Sequence, residues 1–384
     1  MPTPPTIDLD ALLAPIDGDN PAGADLREDH SHASVLRAIK DAAGDARKKE
    51  KQADYDEEAT ATPQEWRTVL ELAPKVLMTQ SKDLDVAGWY IEALLRAEGF
   101  AGLRDGFRLA KGLVETYWDS LYPLPDEDGI ATRVGTLAGL NGESGEGTLI
   151  QPIRKVPFTA GSEGAYALYH YNQALELAKI TDEYKKQARI EAGAVSWDAF
   201  ERSVRETPGE IFRELLDDLE ECLAAFEELG NVLYEKAGGD APPGGNIRGV
   251  LNAVIDALKH AARDKLAAAD AAAEAEATAA EDNAAAAAGD GGGTVVMATA
   301  RTTVGGGPLA TRDDAFKLLL QIADFFRKTE PHSPISYTLE EVVRRGRMTL
   351  PELLEELITD ETTRQYFFIA SGVKPPQPPE SSGY

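Results

Sequence analysis

The side chains best suited to chemistry are few and scattered along the chain. Its five histidines are His30, His32, His170, His260 and His332. His30 and His32 stand two apart, so on a helix they would point to different sides and could not share a metal ion. No histidine pair has the spacing of H-E-x-x-H or of a two-histidine, one-carboxylate site, and no metal ligand is assigned. Cys222 falls on an apolar helical seam, where a buried structural thiol is expected rather than a nucleophile. Ser81-Lys82-Asp83-Leu84 offers a lysine beside an aspartate, which could act as a base pair in catalysis. The simpler expectation there is a Ser81-capped helix start with a solvated lysine. The glycine clusters are followed by no Lys-Ser/Thr and preceded by no strand, which excludes a phosphate-binding loop and leaves a dinucleotide fingerprint unsupported. Arg344-Arg345-Gly346-Arg347 is the densest basic cluster. At a helix C-terminus it complements the dipole, or it meets an acidic neighbouring subunit. No catalytic or cofactor-binding residue emerges, and the expectation is a protein that is not an enzyme and carries no cofactor.

The charge narrows the partners. Among 384 residues, 39 are basic and 66 acidic, a net charge of −27. Such an excess repels phosphate backbones and anionic headgroups, so neither nucleic acid nor a membrane surface is an expected partner. The apolar share of 43% suffices for a buried core, and the length suggests two or three domains. One cysteine excludes an intrachain disulfide and suits a reducing cytoplasm. The first residues lack the basic and apolar regions of a signal peptide, and no apolar run is long enough to span a bilayer.

Helix grammar supplies the scaffold, and the expected fold is all-α. Thr62-Pro63-Gln64-Glu65 has the form of a capping box, followed by Trp66, Val69, Leu70, Ala73 and Leu77 at helical spacing, with Pro74 expected to kink or split the helix. The next helix places Leu84, Gly88, Ile91 and Leu95 on one face and stops at Gly99. A third carries Leu103, Phe107, Ala110, Val114, Tyr117 and Leu121 and ends before Pro123. These elements form an expected helical domain over residues 1–140.

Residues 141–265 form the expected middle region. It begins with a long connection in which Leu149-Ile150-Gln151-Pro152-Ile153 looks extended, with a short hairpin near it. Thr207-Pro208-Gly209-Glu210 repeats the capping-box form. Phe212, Leu215, Leu219, Cys222, Phe226, Leu229 and Leu233 then alternate by threes and fours, as in a coiled-coil hairpin. The partner helix carries Ile247, Val250, Leu251, Val254, Ile255 and Leu258. Residues 266–310 are rich in alanine, acid and glycine, with no apolar face to bury, and are expected to be a flexible tether. A small helical module follows over 311–373, and a proline- and serine-rich tail over 374–384 is expected to be disordered. Phe325-Phe326 and Phe367-Phe368 cannot all face one small core, because neighbouring helical residues diverge by about 100°. The module is expected to bury these rings, with Glu330, Arg344, Arg345 and Arg347, against copies of itself.

Several of these segments carry a resemblance. Asn20-Pro21-Ala22-Gly23-Ala24-Asp25-Leu26-Arg27, Trp66-Arg67-Thr68-Val69, Ser81-Lys82-Asp83-Leu84-Asp85-Val86-Ala87, Gly99-Phe100-Ala101-Gly102-Leu103 and Trp118-Asp119-Ser120-Leu121-Tyr122-Pro123 with Arg133 resemble the ImpA N-terminal domain. That domain marks the TssA family of the bacterial type VI secretion system. Glu330-Pro331-His332-Ser333-Pro334-Ile335-Ser336-Tyr337 looks like the closing module of the shorter TssA proteins. The chain departs from the family pattern near Ala138 and near Gly346 and Arg347, where aromatics are missing. The resemblance implies that Trp66, Lys82, Asp83, Leu84, Trp118 and Arg133 are family-motif residues. It further implies a non-enzymatic baseplate protein that forms homo-oligomeric rings and helps start tube and sheath assembly, with baseplate, tube and sheath proteins as partners. A helical adaptor or assembly chaperone outside secretion, or a hydrolase using acidic residues, would fit the composition as well. Encoded neighbours and the mass in solution separate these readings.

Overall fold

The long helix α4, Leu84–Tyr117, is the element to which the first body of the protein is fastened. In the computed structural model, the described residues are 2–53, 63–127, 129–142, 145–271, 312–329 and 334–349, with Leu353, Glu356 and Asp360. Among them every regular element is helical, and strand pairing is limited to isolated bridges. Two compact units are present, Met1–Asp290 and Gly291–Tyr384.

Apolar residues on every side of α4 explain its central place. Leu84, Ile91, Leu103, Leu109 and Leu113 are all fully buried. The expected stop at Gly99 is a break inside this element, with φ 59° and ψ −138°, a conformation that glycine adopts without steric cost. Helices α1 (Leu9–Leu13), α2 (Val35–Ala53) and α3 (Glu65–Thr79) pack on and around it. Helix α3 runs unsplit through Pro74, contrary to expectation. Val69, Ala73, Val76 and Leu77 are completely buried along one face, and this burial outweighs the one backbone bond that proline removes. Gln64 occupies the N-cap position of α3; the expected cap, Thr62, lies outside the described residues.

Helix α5 (Ile130–Asn141) leads to α6 (Ile150–Lys155), a short helix where the expectation is an extended-looking connection. Pro152 sits in the first turn of α6, where no backbone N–H is needed, and Ile150 and Ile153 turn inward. The expected hairpin follows: Pro157 bridges Ala167, and Phe158 N donates to Tyr166 O at 2.8 Å. Next come α7 (Leu168–Ala178), α8 (Glu183–Glu191) and α9 (Trp197–Glu206). Thr207 forms no capping box. Its hydroxyl donates back to Ser203 O and accepts from Ala160 N, both at 2.8 Å, so it closes α9 instead.

The apolar seam lies on α10 (Gly209–Ala237), with Phe212, Leu219, Cys222, Leu229 and Leu233 buried. It does pack against α11 (Gly245–Ala261), but its main partner is α4. Phe226 meets Phe107 with ring centroids 5.0 Å apart. The change of pattern at Asn141 therefore does not divide the core, which runs from Leu12 to Leu266. Helix α12, 263–271, covers the start of the expected tether; residues 272–310 and the tail 374–384 lie outside the described residues.

In the second unit, α13 (Arg312–Thr329) and α14 (Ile335–Arg347) pair and bury Ala323, Ser336 and Val343.

Candidate functional site

Three extended pieces meet at the start of α4 and form a clasp. Ala24 N donates to Gln80 O at 2.9 Å, and Lys82 N to Ala22 O at 2.8 Å. Tyr122 N donates to Lys82 O at 3.0 Å, and Leu84 N to Tyr122 O at 2.8 Å. Gly23 has φ +78°, and a Cβ there would lie 2.1 Å from Gln80 O, so only glycine fits the approach. Asn20 fixes the turn, accepting from Ala22 N at 3.0 Å and donating to Gly23 O at 2.7 Å.

Polar side chains then lock the pieces together. Ser81 does not cap α4; Asp83 does, accepting from Asp85 N at 2.8 Å and Val86 N at 3.2 Å. Arg27 donates to Asp83 at 2.6 Å and also to Asp85, which accepts in addition from Thr136. Burial is the largest influence on the Asp83 carboxyl and pushes it upward, while the Arg27 guanidinium opposes that push.

The expectation of a solvated Lys82 is overturned, because the residue is fully buried. Its Nζ donates to Leu12 O and Leu77 O, each at 2.7 Å, and lies 5.5 Å from the centre of the Tyr117 ring. Those carbonyls belong to the C-terminal turns of α1 and α3, whose partial negative charge receives the ammonium. Burial lowers the Lys82 pKa to about 8. The amine is thus used as a structural donor, with both acceptors in the backbone.

The remaining motif residues fall around this clasp or apart from it. Leu84 is buried beside it. Arg133 donates to Pro123 O at 3.0 Å and Trp118 O at 2.6 Å, with its guanidinium 5.0 Å over the Trp118 ring. Trp66 belongs to a separate cluster: its Nε1 donates to Glu50 at 2.7 Å, and Arg96 lies 4.2 Å over its ring.

A second buried network joins α4 to α10. Arg104, 1% exposed, donates to Asp105 at 2.8 Å, to Asp218 at 3.0 Å and to Thr3 O at 2.9 Å. Thr3 binds Asp218 in turn, and Thr6 binds Asp105. Neither Arg104 nor Asp218 stands out in the sequence; the one available signal is a charged residue set within the apolar run of each helix. Cys222 is fully buried nearby, and burial pushes its thiol pKa far up, in keeping with a structural role.

In the second unit, the expected interface residues are partly described. Phe325 is 60% exposed and Phe326 half-buried. Arg344 and Arg345 pair within the chain with Glu341 and Glu356, rather than waiting for a neighbour's acids. Arg347 lies 5.8 Å from the Phe316 ring centre. Glu330, Phe367 and Phe368 lie outside the described residues. Among the described residues no group of three His, Cys, Asp or Glu side chains is placed to hold a metal ion, and no helix is long and apolar enough to cross a membrane.

Comparison with known proteins agrees with this architecture. A family model described as ImpA, N-terminal, type VI secretion system matches residues 13–142, the span that contains the clasp. The type VI secretion system component TssA1 of Pseudomonas aeruginosa is 29% identical over 363 residues, covering 92% of this chain and 96% of the relative. A solved N-terminal domain that includes the ImpA_N region, from the TssA component of Burkholderia cenocepacia, matches with a TM-score of 0.57 and 29% identity. It covers 69% of this chain and 98% of that one. The clasp thus lies in the span, residues 13–142, that matches the ImpA N-terminal family of the type VI secretion system, and the similarity to a TssA component extends over most of the chain.

Proposed function

We propose that the chain is a non-enzymatic structural and adaptor component of a type VI secretion system, which helps initiate or coordinate tail tube and sheath assembly at the baseplate. The observation that carries this reading is the extent of the similarity to TssA1, which runs past the first compact unit instead of stopping with the ImpA N-terminal domain. The use of buried charge supports it. Lys82, Asp83 and Arg104 are each engaged in fastening one segment to another.

In this reading the first unit presents surfaces to baseplate, tube and sheath proteins, residues 266–310 act as a tether, and the module over 311–373 gathers copies into a ring. Phe325, Tyr337 and Val342, each about half exposed or more, supply apolar surface for that contact. The protein works in the cytoplasm, and its charge of −27 disfavours nucleic acid as a partner. Light scattering on the full chain and on residues 1–290 tests the arrangement. An oligomeric full chain beside a monomeric fragment is expected; a monomeric full chain contradicts the ring.

A further inference from the structure

A cavity of about 340 Å³ opens between α4, α5, α10 and α11, at the 238–244 turn. Its floor is apolar: Phe107, Leu137, Leu140, Leu229, Leu233 and Ile247 are all buried. For scale, an apolar cavity of about 150 Å³ accepts benzene, so this one has room for a larger ring system.

One row of α10 gives the mouth its character. Phe226, Gly230 and Tyr234 follow at intervals of four, so they lie along one face of the helix. Phe226 is half-buried against Phe107, while Tyr234 is 69% exposed. Eight residues of helix set these two about 12 Å apart along the axis. Between them Gly230 leaves a gap, and a Cβ built there would meet nothing within 4 Å. Glycine is a poor residue for a helix interior, and packing within the described chain gives no reason for it. The gap is explained if a group from outside enters between the two rings. Charge limits what that group is. Arg248 and Glu227 at the rim pair with each other at 3.3 Å, so the mouth offers little net field to a charged guest.

We propose that this slot binds an uncharged aromatic side chain, with tryptophan the best fit to the volume, presented by a segment of a partner protein. Aromatic rings favour offset or edge contacts with Phe226 and Tyr234, and a buried indole N–H has the Asn231 side chain within the lining as an acceptor. The inference extends the proposed role by naming the chemistry of one docking site. Its test uses no secretion readout, so the two fail separately.

The full chain is titrated with N-acetyl-tryptophanamide and, separately, with N-acetyl-leucinamide, followed by ligand-observed NMR. Saturable binding of the tryptophan amide is expected, about two- to tenfold tighter than that of the leucine amide. Gly230→Leu should abolish it while leaving the thermal midpoint unchanged or raised, because leucine is the better helix former and its Cβ meets nothing within 4 Å. Gly230→Ala serves as the control for folding and should weaken binding without lowering the midpoint. An absence of binding, equal binding of the two amides, or undiminished binding to a folded Gly230→Leu chain would each overturn the proposal.

Discussion

The Arg27 guanidinium donates to the Asp83 carboxylate at 2.6 Å across 56 positions of sequence. Through that contact the N-terminal segment is held to the cap of α4, and Asp83 has no exposure to water of its own. Arg27→Ala should therefore cost about 3 kcal/mol in urea denaturation, because it leaves a buried carboxylate unpaired. Asp83→Asn added to Arg27→Ala should recover part of the loss, since asparagine still caps the helix without a charge. A single variant within about 0.5 kcal/mol of wild type, as for an ordinary surface change, would refute the clasp.

Lys82 gives the second prediction. Replacing it by methionine keeps the stem but strands two buried carbonyls, at a cost of about 2–4 kcal/mol near pH 7. Its pH dependence has a definite sign. Burial lowers the folded pKa to about 8, from the ordinary lysine value of 10.5. Between those values the unfolded chain binds more protons, so this group adds stability as pH rises and loses it as pH falls back toward 8. A neutral amine still has two N–H donors, enough for Leu12 O and Leu77 O. Wild type should gain stability over Lys82→Met between pH 8 and 10. Parallel pH profiles for the two chains would contradict this.

His170 should act on the acid side. Its Nδ1 accepts from Ala167 N at 3.1 Å at the start of α7, so the cap needs the neutral ring. Burial lowers its pKa. The contribution is complete above the unfolded value, about 6.5, and is lost as pH falls through the lower folded value. His170→Gln can make the same cap without titrating. Thermal midpoints measured from pH 7.5 to 5 should fall less steeply for the variant; identical slopes would rule the role out.

Leu219 is completely buried on α10. Leu219→Ala should cost about 2–5 kcal/mol, read by chemical denaturation. A change within the range of exposed sites would mean that α10 keeps its seam outside the core.

What the sequence revealed depended on whether the signal was local. The seam from Phe212 to Leu233 and the break at Gly99 follow from periodicity and glycine alone, and both appear where expected. The burial of Lys82 is not legible locally, because it depends on carbonyls from Leu12 and Leu77, which a local pattern does not contain. Ser81 and Thr207 have the form of caps, yet Asp83 takes the first position and Thr207 turns back to Ser203. The extended-looking stretch at Leu149 gives way to a helix from Ile150 because Pro152 falls in its first turn, where proline does no harm. Arg104 and Asp218 lie 114 positions apart, and only the fold brings them together.

The most direct measurement of the proposed role is sheath assembly in living cells. In a bacterium that encodes this chain, the gene is deleted and fluorescently labelled sheath is imaged, with the full chain or residues 1–290 supplied in return. Deletion should sharply reduce sheath structures; the full chain should restore them, and the fragment lacking the second unit should not. Sheath assembly at the normal frequency and length in the deletion strain would contradict a role in starting or coordinating it.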